Sequence, residues 1–339
     1  DNLEKNKDIF ASAARILKQG NPIALFPEGR HNPKQSLLPI QKAVPRIVLP
    51  TEASLDFELN SQIVPVSIYY RDIFGFLSDA YVTFGTPIEV SKYKTIYEEN
   101  PGLAANQLRQ ELERSLKSMV VDIWNDEFYD EYRHAIDWNG DKIAKEKFSD
   151  RKDAFYLSSR HIVRSLDDLY ENNRPAFDTL IANFREADRI LQAHGLNTKD
   201  RLWNTSGNLN LFTRFKALVL TSPVMLFGFL NGIFPLLINK KLLSLFKDKQ
   251  FVPSVRYISG LVFVPIFDLI QSLLLGALTH NWLLALAYFL LMPANFYFAL
   301  YWRKWWKSAR RDQKVARFRK KYPQLWEQLI QLITLPNKQ

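Results

Sequence analysis

The chain has 339 residues, 47% of them hydrophobic, a formal charge of +10 and no cysteine. The lack of cysteine excludes disulfides, Cys-ligated zinc and thiol catalysis from these residues. The charge is segregated, because ten Lys or Arg stand against one Asp between residues 303 and 321, directly after a long apolar stretch. That placement reads as contact with anionic lipid rather than nucleic acid, and the neighbouring Trp302, Trp305 and Trp306 suit a membrane interface.

Taken in chain order, Ile9, Phe10, Ala13, Ile16 and Leu17 recur on one face and predict an amphipathic helix over residues 5–19, stopped by Gly20. Residues 23–26 predict a short buried strand that runs into the turn Pro27-Glu28-Gly29-Arg30. An apolar strand ending in a glycine turn can bring backbone and side chains close to a phosphate-bearing ligand. Arg30 is the side chain best suited to hold one, through paired N–H donors. Residues 39–49 predict a helix with a local irregularity at Pro45. Residues 63–69 and 80–84 predict strands. Asn100-Pro101 supplies an N-cap followed by proline at the first helical position, and Leu108, Leu112, Leu116, Met119, Val120 and Ile123 line one face of the helix that follows.

Residues 125–205 read as a charged helical connector, with Phe177, Leu180, Ile181, Phe184, Ile190 and Leu191 at helical spacing and Gly195 as the stop. Asp126, Glu127, Asp130, Glu131, Asp137 and Asp141 read as a solvated helix surface, since no histidine is spaced among them for metal ligation; His134 reads likewise. Three apolar segments follow, at residues 217–238, 257–279 and 282–302, each near the roughly 20 residues that span a bilayer. The second and third are joined only by His280-Asn281 and flanked by basic residues, so they read as a hairpin with both ends on the cytoplasmic side. Pro223, Gly228, Asn231, Gly232 and Pro235 interrupt the first, which is expected to enter and return without crossing. Asp268 and Gln271 lie inside the second segment, where polar groups are costly.

Four blocks in order carry a family resemblance. Phe26-Pro27-Glu28-Gly29 resembles the third conserved block of the glycerolipid acyltransferases, the enzymes that acylate glycerol 3-phosphate and lysophosphatidate. Leu38-Pro39-Ile40-Gln41-Lys42-Ala43 resembles the segment after it. Val64-Pro65-Val66-Ser67-Ile68 resembles the fourth block, and Val82-Thr83-Phe84-Gly85-Thr86-Pro87-Ile88 resembles the closing strand and turn.

The resemblance implies an α/β fold, a mixed sheet flanked by helices and incomplete here, over residues 1–124. The helical connector of 125–205, membrane-associated helices over 206–302 and a basic cytoplasmic tail over 303–339 would follow. It implies an O-acyltransferase of phospholipid biosynthesis at the cytoplasmic face of a membrane. The donor would be acyl-CoA or acyl carrier protein, with no cofactor and no metal. The acceptor would be a glycerol phosphate, lysophosphatidate by general abundance of that activity, with glycerol 3-phosphate as the alternative. Phe26 and Pro27 would shape the turn with Gly29, Glu28 would position the acceptor, and Arg30 would hold its phosphate. Lys42 and His31 are further candidates, and residues 64–66 would floor the site.

The departures are equally specific. The family carries, upstream of this turn, a His and an Asp with four residues between them. None of the five histidines here, at 31, 134, 161, 194 and 280, has that partner. The expectation is that an N-terminal portion holding the pair precedes Asp1; a catalytically inactive lipid-binding relative is the rival. Arg30-His31-Asn32 stands where many members have Thr-Arg-Ser or Gly-Ser, and Ala43 stands where glycine is usual.

Overall fold

In a computed structural model, the structure describes residues 2–75, 78–200, 202–203, 208–246 and 251–336. The chain divides into two compact units, the first made of residues 1–71, 78–136 and 143–174, the second of 72–77, 137–142 and 175–339. The described residues are mostly helical, with two small pairs of strands.

The first unit opens with α1 (Asn2–Lys18) and α2 (Ala43–Ala53). The strands are β1 (Gln62–Ile63), β2 (Val66–Tyr70), β3 (Ala80–Phe84) and β4 (Ile88–Glu89). β2 pairs antiparallel with β3 in the register Val66–Phe84, Ile68–Val82 and Tyr70–Ala80, and β1 pairs antiparallel with β4. One long hairpin is therefore interrupted in the middle. The cause is proline on both sides, since Pro65 and Pro87 have no N–H to give the ladder. The Gly85 amide bridges the gap by donating to the Pro65 carbonyl at 2.8 Å.

Helices α3 (Lys94–Glu99) and α4 (Pro101–Met119) follow, then α5 (Tyr129–Lys147) and α6 (Ala154–Asn172). The Asn100 side chain caps α4 by accepting from the Leu103 amide at 3.0 Å, as the Asn-Pro signal predicts. Leu108, Leu112, Leu116 and Met119 are buried against Val44, Val48 and Leu49 of α2, together with Ile88 and Val90. Val120 and Ile123 lie beyond the helix, although Ile123 is fully buried.

Three expectations change here. Residues 23–26 form no strand; Leu25 and Phe26 are exposed, because no described strand pairs with them. The mixed sheet is not present among the described residues, whose strand pairs are all antiparallel. The apolar face of α1 is not buried, since Ile9 and Ile16 are exposed and Phe10, Ala13 and Leu17 half-buried. The acidic run is also less solvated than its composition suggests: Glu131, Asp137 and Asp141 are half-buried, as is His134.

The second unit contains α7 (Arg174–Ala193) from Pro175 onward, then α8 (Asn208–Asn231), α9 (Ile233–Leu245), α10 (Val252–Thr279), α11 (Trp282–Lys321) and α12 (Pro323–Ile333). All six apolar positions expected on α7 are buried, and Gly195 lies past its end with φ +66°, a left-handed conformation that suits glycine. Among the described residues, three helices are long and apolar enough to cross a membrane: Phe212–Asn231 of α8, α10 and α11. The third apolar segment and the basic stretch after it are one continuous helix of 40 residues, about 60 Å long at 1.5 Å per residue.

Contacts along these helices fix the path of the first apolar segment. Near the middle of α11, Trp302 Nε1 donates to the Leu218 carbonyl and to Thr221 Oγ, both at 3.1 Å. About three to four turns later α8 ends at Asn231, whose Oδ1 accepts from the Tyr288 hydroxyl at 2.6 Å and whose carbonyl accepts from Gln271 at 2.9 Å. Of the five expected interruptions only the Asn231-Gly232 pair breaks the helix, since Pro223 and Gly228 lie inside α8 and Pro235 inside α9. α9 then runs back along α10, with Phe234 stacked on Phe267 and Asn239 hydrogen-bonded to Ser259 and the Arg256 carbonyl. The α8–α9 pair is thus a helical hairpin. Both of its ends lie toward the start of α10 and the basic half of α11, and its apex stops short of the His280-Asn281 tip.

Candidate functional site

The Pro-Glu-Gly turn is built by its own backbone. Gly29 takes φ +69°, and its amide donates to the Phe26 carbonyl at 3.2 Å. A side chain there would be strained, and its Cβ would meet Gln41 Cγ at 3.2 Å. The turn is then tied to the second sequence block by two bonds. The Gln41 amide donates to the Pro27 carbonyl at 2.8 Å, and the Leu38 amide donates to Glu28 Oε2 at 2.9 Å. Residues 26–42 therefore form one closed loop that delivers the chain to Lys42, the cap residue of α2.

The far side of the loop is held by residues the motif does not reveal. The Gln35 amide donates to the Tyr129 hydroxyl at 2.9 Å, Gln35 Nε2 to the Tyr70 carbonyl at 2.9 Å, and Arg133 to Gln35 Oε1. The Leu37 amide donates to Asp122 Oδ1 at 2.8 Å, and the Ile123 amide to the Gln35 carbonyl at 2.8 Å. Burial holds the Asp122 carboxyl above its ordinary range despite that amide bond. Lys34 pairs with Asp126 at 2.8 Å, and this hydrogen bond raises the lysine pKa. No sequence signal separates Gln35, Asp122 or Arg133 from other polar residues, because their role depends on distant elements meeting.

The expected site residues are placed unequally. Pro27 and Glu28 are half-buried, whereas Gly29, Arg30, His31 and Lys42 are exposed and Phe26 is 84% exposed. Arg30 makes no hydrogen bond or ion pair among the described residues, so its guanidinium is available to a ligand. Arg46 is exposed one turn after Lys42 on α2 and adds a cation that the motif does not mark. Of residues 64–66, the expected floor, only Pro65 is buried; Val64 and Val66 are exposed, and Val66 shares an exposed apolar sheet face with Ile68, Val82 and Phe84. No cluster of three or more His, Asp or Glu able to hold a metal occurs among the described residues. The loop can present an anion-binding guanidinium beside a carboxylate whose second oxygen remains available for a hydroxyl group.

Two curated proteins of Saccharomyces cerevisiae (strain ATCC 204508 / S288c) are similar to part of the chain. One, "Glycerol-3-phosphate O-acyltransferase 2", is 30% identical over 116 residues, which is 34% of this chain and 16% of that protein. The other, "Glycerol-3-phosphate O-acyltransferase 1", is 32% identical over 110 residues, 31% of this chain and 14% of that protein. The matched region thus spans less than a fifth of either relative. No protein-family model matches the chain, and no solved structure gives a significant match. Partial as it is, this similarity supports a glycerolipid acyltransferase family and an acyl-transferring role, and the three apolar helices fit a membrane protein of lipid metabolism.

Proposed function

We propose that the chain belongs to a membrane-bound O-acyltransferase that moves a fatty acyl group from acyl-CoA or acyl carrier protein to glycerol 3-phosphate. The observation that carries this reading is the closed loop of residues 26–42, with Arg30 open to a ligand and Glu28 anchored beside it, in a chain similar to two proteins named for that reaction. Those names favour glycerol 3-phosphate; the motif does not discriminate between the acceptors, and lysophosphatidate rests only on the general abundance of that activity.

In this reading Arg30 takes the acceptor phosphate in paired charge-assisted hydrogen bonds, with Lys42 and Arg46 adding positive potential. Glu28 keeps one oxygen on the Leu38 amide, and its other oxygen orients a glycerol hydroxyl. The family's general base is a His oriented by an Asp. No His in this sequence precedes an Asp at that spacing, so no step is assigned to one here. Membrane attachment serves the chemistry, because the acylated product is an amphiphile and holding the site at the interface raises the effective concentration of the reactants. The basic half of α11 favours anionic lipid and a cytoplasmic location for that end.

The test is acyl transfer by the full-length protein in membranes, with labelled acyl-CoA offered against glycerol 3-phosphate and lysophosphatidate in parallel. Turnover on glycerol 3-phosphate at least tenfold above that on lysophosphatidate supports the proposal. The reverse preference transfers the activity to the second acceptor, and no turnover on either leaves an inactive lipid-binding protein.

A further inference from the structure

The second unit contains a cavity of about 560 Å³ whose lining includes Gln192, Asn197, Lys199, Asp200, Arg311 and Lys314. Its chemistry is uneven. Asp200 is only 3% exposed; its Oδ2 accepts the Asn197 amide at 2.9 Å, while the buried Oδ1 has no hydrogen-bond partner. Arg311 and Lys314 are exposed, one turn apart on α11, and neither makes a hydrogen bond or ion pair among the described residues. The acid nearest them in sequence, Asp312, is turned to α8, where Arg214 pairs with it at 2.6 Å, and Lys199 is paired with Asp72 at 3.0 Å. The charges of Arg311 and Lys314 both act on the Asp200 carboxylate, which offsets one of them, so the pocket holds an excess of positive charge and one carboxylate oxygen that lacks a donor.

We propose that this pocket binds a polyol phosphate, with Arg311 and Lys314 on the phosphate and Asp200 Oδ1 accepting a hydroxyl of the polyol. Each half of the ligand answers one observed deficit. Inorganic phosphate carries the anion without a carbon-borne hydroxyl. Phosphoethanolamine carries a donor and a phosphate, but its ammonium brings a further positive charge beside Arg311 and Lys314 and lowers its net negative charge. A polyol phosphomonoester supplies both, and it sets an undiminished charge of about −1.5 to −2 near neutral pH against the positive excess without adding a cation. The site shares no residue with the 26–42 loop and stands apart from the acyl-transfer reading. It rests on the membrane reading only for one source of ligand. Trp302 and Trp306 stack at 5.5 Å on α11, and Arg311 follows Trp306 by little more than one turn. Aromatic side chains of this kind sit at headgroup level, which puts the pocket within reach of a glycerophosphate carried on a lipid as well as a free one.

The experiment uses the whole chain purified in detergent, in an Arg30→Ala background so that the loop does not contribute, with glycerol 2-phosphate as the probe and calorimetry as the readout. Glycerol 2-phosphate is expected to bind at least tenfold more tightly than inorganic phosphate or phosphoethanolamine. Charge removal by R311Q/K314Q is expected to weaken it at least tenfold, whereas R303Q/K304Q on the same helix leaves it unchanged. D200A is expected to bring glycerol 2-phosphate down to the affinity of inorganic phosphate, and D200N, which keeps an acceptor oxygen, to preserve most of the preference. Equal binding of the three probes overturns the proposal, as does equal loss in the two charge-removal variants. Lysophosphatidate in nanodiscs that displaces the probe assigns the pocket to lipid, and failure to displace it assigns a soluble ligand, both within the proposal. Acyl transfer that depends on Glu28 while the pocket binds no probe sinks this inference and leaves the acyl-transfer reading standing.

Discussion

Glu28 Oε2 accepts the Leu38 amide hydrogen at 2.9 Å, so the carboxylate of the turn is bound to the chain ten residues on. Its charge and its anchoring can be separated. Glu28→Gln keeps an oxygen for the Leu38 amide and loses the charge; Glu28→Ala loses both. Both variants are expected to lower turnover on the order of 10²-fold, a size typical of removing one preorganised polar group from a site. Glu28→Ala, which loses the bond outright, is expected to lower the melting temperature more than Glu28→Gln, since a hydrogen bond to a charged group contributes about 1.5–3 kcal/mol and a neutral one about 0.5–1.5 kcal/mol. Wild-type turnover in Glu28→Gln would restrict residue 28 to holding the loop.

Arg30 gives the opposite pattern, because it is exposed and has no protein partner among the described residues. Arg30→Ala is expected to raise the KM for the glycerol-phosphate acceptor by about tenfold or more, the equivalent of one charge-assisted hydrogen bond, with the melting temperature unchanged. Steady-state kinetics at varied acceptor decides it. An unchanged KM passes the phosphate to Lys42 or Arg46.

These two residues also show how far the sequence could be read. The turn, the Asn100 cap, the buried face of α4 and the helical interruption at Asn231-Gly232 were legible, because each depends on local chemistry within a few residues. The strand at residues 23–26 was not. Its apolar composition shows a capacity for burial, but a strand exists only where another strand pairs with it, and none of the described strands does. The anchors of the loop were equally hidden. Asp122 and Arg133 reach Leu37 and Gln35 across 85 and 98 residues of chain, distances over which spacing carries no information.

Gly232 sits at the apex of the α8–α9 hairpin with φ −85°, a conformation open to any residue, so space rather than backbone requires glycine. A Cβ there would lie 2.2 Å from the Phe296 ring. Gly232→Ala is expected to destabilise by about 1–3 kcal/mol, the usual cost of overpacking. Adding Phe296→Leu is expected to recover most of the loss. Thermal denaturation in detergent of the two single variants and the double variant checks this, and additive losses would place the clash elsewhere.

The same hairpin makes a topological prediction, and the lack of cysteine makes it simple to test. Single cysteines at Arg189→Cys, before α8, and Ser244→Cys, at the end of α9, are expected to share one side of the membrane with Lys320→Cys. Thr279→Cys at the tip of the α10–α11 hairpin is expected on the other. Impermeant maleimide applied to intact cells should label the residue 279 variant alone. Labelling of Arg189→Cys together with Thr279→Cys, while Ser244→Cys stays protected, would mean that α8 crosses.

Asp167 supplies a pH dependence whose sign follows from its surroundings. Its Oδ1 accepts from the Tyr132 hydroxyl at 2.9 Å and from Trp124 Nε1 at 3.1 Å, both of which favour the carboxylate. Burial opposes them and dominates, and the nearby Asp122 and Glu171 add like charge, so the pKa rises from 3.8 to about 6. A carboxyl that binds its proton more tightly folded than unfolded gains stability as pH falls through the folded value, and the gain is complete near the unfolded one. The window therefore runs from about pH 6 down to about pH 4. Above it the ionised group destabilises the fold, and Asp167→Asn, which keeps an oxygen for both donors, escapes that cost. The melting temperature of Asp167→Asn relative to wild type is expected to be highest at pH 7.5 and to fall by a few degrees toward pH 4.5. Comparing the two proteins at each pH cancels the carboxylates they share, so a difference that stays flat across this range would show that Asp167 titrates as an ordinary exposed carboxyl.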